Sequence, residues 1–224
     1  NFLIISQLNS TNALDDRKNI FNTIKWLCEE FKADPNVGII LKTNSGKGTT
    51  IDKKITKNIL RQMLSAIKKN NFPKVYLVHG NMKKEEVADF YKREDVKCYV
   101  SATRGEGYGL PLVDAAAAGI PVIATNWSGH LDFLKDKFTK VNYSMTTIRK
   151  EKVDNRIFLD GFRWAEPDEN DFKHKVREIY KNFQEKKEIA NLLKIETNYN
   201  FSKPSIQKQY DKFYKKILSE REIK

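Results

Sequence analysis

The chain has 224 residues, enough for one large domain or two small ones, and 40% hydrophobic with 11% aromatic content excludes global disorder. No apolar run approaches the ~20 residues a membrane span requires, and the first residues do not read as a signal peptide. A formal net charge of +12, mostly lysine, favours anionic partners such as nucleotide, anionic lipid or nucleic acid. The plain alternative is lysines spread over solvated helix faces. Strand-like runs recur at 2–6, 38–43, 74–78, 97–101 and 121–125, each short and apolar on both faces. They alternate with helical patterns, which is how a parallel sheet covered on both sides reads. Ile20, Phe21, Ile24 and Leu27 mark the first helix, ended by Pro35 and Gly38; residues 52–69 form another, and Val87, Phe90 and Tyr91 a third. Residues 136–163 read as a loop-rich excursion with one short strand at 156–159. Pro167-Asp168 opens a helix on Phe172, Val176, Ile179, Tyr180 and Phe183. The last helix, after Pro204, carries the stripe Ile206, Tyr210, Phe213, Tyr214 and Ile217. That stripe is expected to dock on the rest of this domain, with some apolar surface left over, because an exposed apolar patch of that size is a liability.

The expected fold class is therefore α/β: a doubly wound, Rossmann-like parallel sheet with helices on both faces and a C-terminal helical tail. Residues 1–202 form the domain and 203–224 the terminal helix. Cys28 and Cys98 read as reduced core thiols, and His79, His130 and His174 lack metal-ligand spacing, so neither a disulfide framework nor a metal is expected. Open parallel sheets bind ligands beyond the carboxyl ends of their strands. That singles out the loops 7–18, 43–51, 79–84, 102–108 and 126–130. Ser45-Gly46-Lys47-Gly48-Thr49 fails as a P-loop, because the upstream glycine and the Lys-Ser/Thr pair are missing.

The informative stretch is Arg104-Gly105-Glu106-Gly107-Tyr108-Gly109-Leu110-Pro111-Leu112-Val113-Asp114, followed by four alanines and Gly119-Ile120-Pro121. Gly107 and Gly109 allow close backbone approach to a ligand. The helix opening at Leu110 offers free N–H groups and a positive dipole end to a diphosphate. Glu106 can accept hydrogen bonds from sugar hydroxyls. Asp114, expected in the first helical turn, can grip a ribose diol or simply complement the helix dipole. Arg17 and Lys18 stand before a helix start, where cations oppose the dipole, so their placement suggests anion binding; the plain alternative is a solvated basic turn.

The stretch Ser101 to Ala115 resembles the signature of retaining GT-B glycosyltransferases of the nucleotide-sugar-using group 1 family. Ala118 to Ala124, and Ser128-Gly129 followed by Asp132 and Phe133, are similar to it too. The resemblance covers most of the chain and implies a C-terminal, donor-binding half of a two-domain enzyme, with the acceptor site in an N-terminal domain. The start at Asn1, directly on a strand, fits the expectation of a fragment. Carried over, Glu106 contacts the donor sugar, and Asp114 the ribose. The backbone of Gly107, Tyr108, Gly109 and Leu110 faces the sugar and diphosphate. Arg17 and Lys18 neutralise the leaving diphosphate, and Gly80, Asn81 and Met82 form the base pocket. No cofactor beyond the nucleotide-sugar substrate is implied, and no metal. The resemblance also implies a glycan or lipid-linked acceptor bound through the missing domain, a role in polysaccharide biosynthesis, and no sugar transfer by this piece alone. A cytoplasmic location is expected, with the inner membrane face as an alternative site of peripheral contact.

Two positions depart from the usual signature: Asp114 stands where Glu is commoner, and Gln7 where many members carry Arg. Trp164-Ala165-Glu166-Pro167-Asp168 reads as structural, with Asp168 capping a helix and Trp164 anchoring the preceding loop. Two other functions fit the residues less well. A sugar-nucleotide epimerase half lacks the Glu-Gly-Tyr-Gly-Leu-Pro lead-in. A basic nucleic-acid-binding module should interleave aromatic and basic residues, and no such motif is present.

Overall fold

The computed structural model describes residues 1–8, 12–67 and 73–222. Six strands, β1 (Phe2–Ile5), β2 (Gly38–Thr43), β3 (Lys74–His79), β4 (Cys98–Ser101), β5 (Val122–Thr125) and β6 (Thr139–Val141), form one sheet. Their order is β3-β2-β1-β4-β5-β6, and every pairing is parallel. The strands are short and apolar because each is buried on both faces. Phe2, Ile4, Ile39, Leu41, Cys98, Val100 and Ile123 pack toward one side, while Leu3, Ile40, Tyr99, Val122 and Ala124 pack toward the other.

Helices α1 (Ile20–Glu30), α2 (Thr50–Ile67) and α6 (Glu169–Lys181) cover the first face, through Ile24, Leu27, Leu60, Met63, Phe172 and Val176. Helices α3 (Lys84–Lys92), α4 (Leu110–Ala118), the short α5 (Leu131–Leu134) and α7 (Phe183–Asn200) cover the second, through Tyr91, Leu112, Ala115, Phe133 and Leu193. The expected doubly wound α/β class is the one observed. The end of the expected 52–69 helix lies outside the described residues.

Three expectations are corrected. The excursion contains no strand at 156–159. The Asp154 carboxylate accepts hydrogen bonds from the amides of Arg156, Ile157 and Phe158 at 2.8–2.9 Å, which closes a turn and removes those donors from any ladder. The excursion instead supplies β6 to the main sheet and an antiparallel pair, β7 (Tyr143–Thr147) with β8 (Arg163–Pro167). Second, Phe183 does not belong to α6. The chain leaves helical geometry at Asn182 (φ −112°, ψ 37°), and Phe183 starts α7, a helix the sequence reading passed over. Its buried positions, Ala190, Leu193 and Thr197, are masked in the sequence by equally apolar but exposed Leu192, Ile195 and Tyr199.

Third, the stripe of the terminal helix α8 (Lys203–Glu222) does not dock on this domain: Tyr210, Phe213 and Tyr214 stay exposed and touch mainly one another. Ile206 and Ile217 of the same stripe are half-buried. Asp168 does cap α6, accepting from the Asp171 amide at 2.7 Å, and Trp164 is buried against Phe158 at the root of the excursion.

Candidate functional site

In this strand order the sense in which successive strands are added switches between β1 and β4, although the two run parallel, so the loops leaving these two strands part and open a crevice. The crevice is formed by the loop after β1 (13–19) and the loop after β4 (102–109), and the loop after β5 (126–130) supports it from behind.

The first two loops are zipped together. The Arg104 amide donates to the Arg17 carbonyl at 2.8 Å, the Thr103 hydroxyl bonds the same carbonyl at 3.2 Å, and the Arg17 guanidinium bonds the Gly105 carbonyl. Lys18 Nζ reaches both Glu106 oxygens, at 2.6 and 2.7 Å, and Arg17 Nη1 lies 3.6 Å from the same carboxylate. Only 9% of the Glu106 side chain is exposed. An ammonium has three N–H donors, so Lys18 keeps one for a ligand.

The third loop locks Glu106 from behind. The Ser128 hydroxyl accepts from the Glu106 amide at 2.9 Å and donates to the Glu106 carbonyl, and the Gly129 amide donates to that carbonyl as well. Ser128 holds φ at +92°, a left-handed backbone that a non-glycine residue adopts at a cost of order 1–3 kcal/mol. Gly129 is required: a Cβ there would stand 2.0 Å from the Gly107 carbonyl oxygen. Gly109 starts α4 at φ +87°. Among the described residues, the amides of Gly107, Tyr108 and Gly109 are paired with no protein acceptor, leaving an N–H array at the positive end of α4.

Two cavities meet at Arg17 and Lys18. One, about 470 Å³, includes Glu106, Gly107 and Ser128 in its wall and is roofed by Ile157 and Phe158 from the excursion. The other, about 430 Å³, extends over the ends of β1, β2 and β3 to Gly80, Asn81 and Met82. Together they make a trough with the carboxylates Asp15, Asp16 and Glu106 in one compartment, Arg17 and Lys18 at the waist, and a glycine turn (Gly80, φ +119°) in the other.

The structure thus brings Arg17, Lys18, Glu106, Gly107, Gly80, Asn81 and Met82 to one trough. Gly109 lines a small recess beneath it with Lys18 and Glu106. The Tyr108 ring instead packs on Phe133 and Phe201, with centroids 5.3 and 6.4 Å away, and the Leu110 side chain is exposed. Asp114 is not in the first turn of α4. The helix begins at Leu110, so Asp114 is its fifth residue, three beyond Pro111, which lines the trough. Its carboxyl pKa is raised by partial desolvation, with Lys84 opposing.

Sequence reasoning missed two site residues. Asp16 accepts hydrogen bonds from the Lys18 and Ile20 amides at 2.9 and 2.7 Å, and so caps α1. Burial raises its pKa against those bonds. An aspartate four residues before an apolar helical run was the available signal. Arg104 is 1% exposed and binds Glu166 through two contacts of 2.6 and 2.9 Å. It also donates to the Ala13 and Asp16 carbonyls, both at 2.7 Å, and stacks over Trp164 at 5.0 Å. One guanidinium therefore ties the loop after β1 and the loop after β4 to β8. Nothing in the local sequence marks it apart from other arginines.

The chain matches the family model "Glycosyl transferases group 1" over residues 60–191, more than half its length. No curated protein matches it. Its fold is similar to sucrose-phosphate synthase from Thermosynechococcus elongatus (TM-score 0.61, 16% identity, covering 97% of this chain and 45% of that one). It is also similar to Anabaena HepE in complex with UDP and glucose (TM-score 0.63, 14% identity, 96% and 48%). A third similar structure is the C-terminal domain of the group 1 family protein LpcC from Francisella tularensis (TM-score 0.59, 14% identity, 89% and 85%). At these identities the likeness shows the fold, and the chain spans about half the length of the first two. Among the described residues, no helix is long and apolar enough to cross a membrane.

Proposed function

The chain belongs to the group 1 glycosyl transferases, and from that premise we propose that it is the donor-binding half of a retaining, nucleotide-sugar-dependent enzyme. The observation that carries this reading is the Lys18–Glu106 pair at the waist of the trough. A sugar-hydroxyl acceptor and a phosphate-binding cation stand together there, beside free amides at a helix start. The nucleoside lies along the compartment of Gly80, Asn81 and Met82, with Asp114 at its rim toward the ribose. The diphosphate sits at Arg17, Lys18 and the amides after Glu106, and the sugar in the Glu106 compartment.

When the bond between the anomeric carbon and the diphosphate oxygen breaks, negative charge grows on the leaving group. Pre-placed cations and amides stabilise that charge most in the transition state. Glu106 holds the sugar through its hydroxyls and carries no acid–base step. The acceptor, a glycan or lipid-linked sugar, and the residue facing the reacting carbon come from a companion N-terminal domain, so this chain alone binds donor and does not transfer sugar. No metal takes part. The enzyme works in the cytoplasm, at or near the inner membrane face, in building a polysaccharide or glycolipid.

Calorimetric titration with UDP, GDP and ADP and their glucose conjugates tests this. At least one should bind. Lys18→Ala should weaken the diphosphate and the conjugate alike, by about tenfold, the scale of one charge-assisted hydrogen bond. Glu106→Ala should weaken the conjugate more than the bare diphosphate. No binding of any of these, or binding indifferent to both substitutions, refutes the proposal.

A further inference from the structure

One cation of the trough belongs to no part of the family signature. Lys42, near the end of β2, is only 7% exposed, yet its side chain helps line the nucleotide compartment. Its Nζ donates to the Gly80 carbonyl at 2.5 Å and lies 3.4 Å from the Thr43 carbonyl. Among the described residues no carboxylate lies within ion-pair distance of it. The acids of the trough, Asp15, Asp16 and Glu106, all line the other compartment, where Glu106 is taken up by Lys18 and Asp16 by the Lys18 and Ile20 amides. The nucleotide compartment itself is lined by Arg17, Lys18 and Lys42 and by no acid.

A buried ammonium held only by carbonyls is costly, because dipoles replace hydration incompletely and no opposite charge offsets its desolvation. Its burial accordingly pushes the Lys42 ammonium below the ordinary lysine range. As a structural peg for the Gly80 turn, a neutral donor would serve at less cost. What Lys42 lacks is negative charge, and the open space beside it is where the nucleotide would lie.

Resting on the donor-binding reading above, we propose that Lys42 is a third phosphate-binding cation: on nucleotide entry its Nζ contacts the phosphate nearest the nucleoside while Arg17 and Lys18 hold the outer one. A carbonyl on the base is the weaker candidate for this partner. Gly80 and Thr43 already supply carbonyl oxygens, and another would leave the charge uncompensated.

The test uses the full chain, with calorimetry for UDP, GDP and ADP, NMR shift titration for the matching nucleosides, and thermal unfolding. Lys42→Met, which keeps the apolar stem, should weaken the best-binding diphosphate by about tenfold. It should leave nucleoside affinity within about twofold and keep or raise the ligand-free unfolding midpoint, because an uncompensated charge has been removed. Lys42→Gln, which keeps a donor for Gly80 without the charge, should bind diphosphate as weakly as Lys42→Met. The assignment is overturned if diphosphate affinity is unchanged, if nucleoside and diphosphate weaken equally, or if Lys42→Gln restores wild-type binding. Should Lys42→Met fail to fold, the glutamine variant decides alone. Failure of the wild-type chain to bind any nucleoside diphosphate sinks the donor-binding reading itself, whereas wild-type binding undisturbed in both variants sinks only the role of Lys42.

Discussion

Arg104→Met is expected to loosen the whole crevice, because Arg104 ties three segments that are otherwise separate in sequence. The substitution removes two contacts to Glu166 and the donors of the Ala13 and Asp16 carbonyls. Removing one partner of a buried ion pair costs roughly 3–5 kcal/mol. Glu166 is 32% exposed and regains some hydration, so the lower figure, about 3 kcal/mol, applies. For a chain of this length that lowers the unfolding midpoint by roughly 6–12 °C. Glu166→Leu alone leaves the more deeply buried guanidinium without its counter-ion and should cost at least as much. The double variant should cost clearly less than the two singles together, because it leaves neither charge stranded. Calorimetric unfolding of the four proteins measures this, and nucleoside diphosphate titration should show weaker binding in both singles. A midpoint drop below about 2 °C for Arg104→Met, or strict additivity of the two singles, refutes the brace.

Gly129→Ala places a methyl 2.0 Å from the Gly107 carbonyl, so backbone must shift; the cost is about 1–3 kcal/mol, and donor affinity should fall with the displaced Glu106 loop. Lowering the pH below 6.5 should destabilise the protein. His130 is fully buried with Nε2 on the Thr125 carbonyl, and burial lowers its pKa, as it does that of His79. The unfolded imidazoles therefore take up protons first, so the stability is fully present above the unfolded pKa of 6.5 and is lost as pH falls toward the folded values. His130→Gln should flatten that pH dependence in thermal melts, and an unchanged slope would contradict the assignment. Deleting residues 203–224 removes a helix whose aromatic stripe is exposed in this domain, so the midpoint should move by no more than about 2 °C. A drop of several degrees would refute this reading of α8.

Much of this protein is legible along the chain. The five short apolar runs with intervening helical stripes specify a covered parallel sheet, because strands buried on both faces cannot alternate with polar residues. The glycines around Glu106, Pro111 in the first turn and the alanines after Asp114 specify a tight strand–loop–helix unit, because each choice answers a local backbone demand. Locally set features hold as read, including the Asp168 cap and the buried Trp164. What failed locally did so where exposed apolar residues counterfeit or blur a stripe, as in α7 and α8. Pairings between distant segments were decided by the tertiary structure alone. Lys18 meets Glu106 because the switch between β1 and β4 sets their loops side by side, Arg104 meets Glu166 because the β7–β8 pair folds back onto the loop after β4, and Lys42 faces a cavity without an acid because β2 lies beside β1. Sequence carries the period of an element and the chemistry of a turn; which charge faces which across 88 residues of chain depends on strand order, and that emerges only when the sheet closes its core.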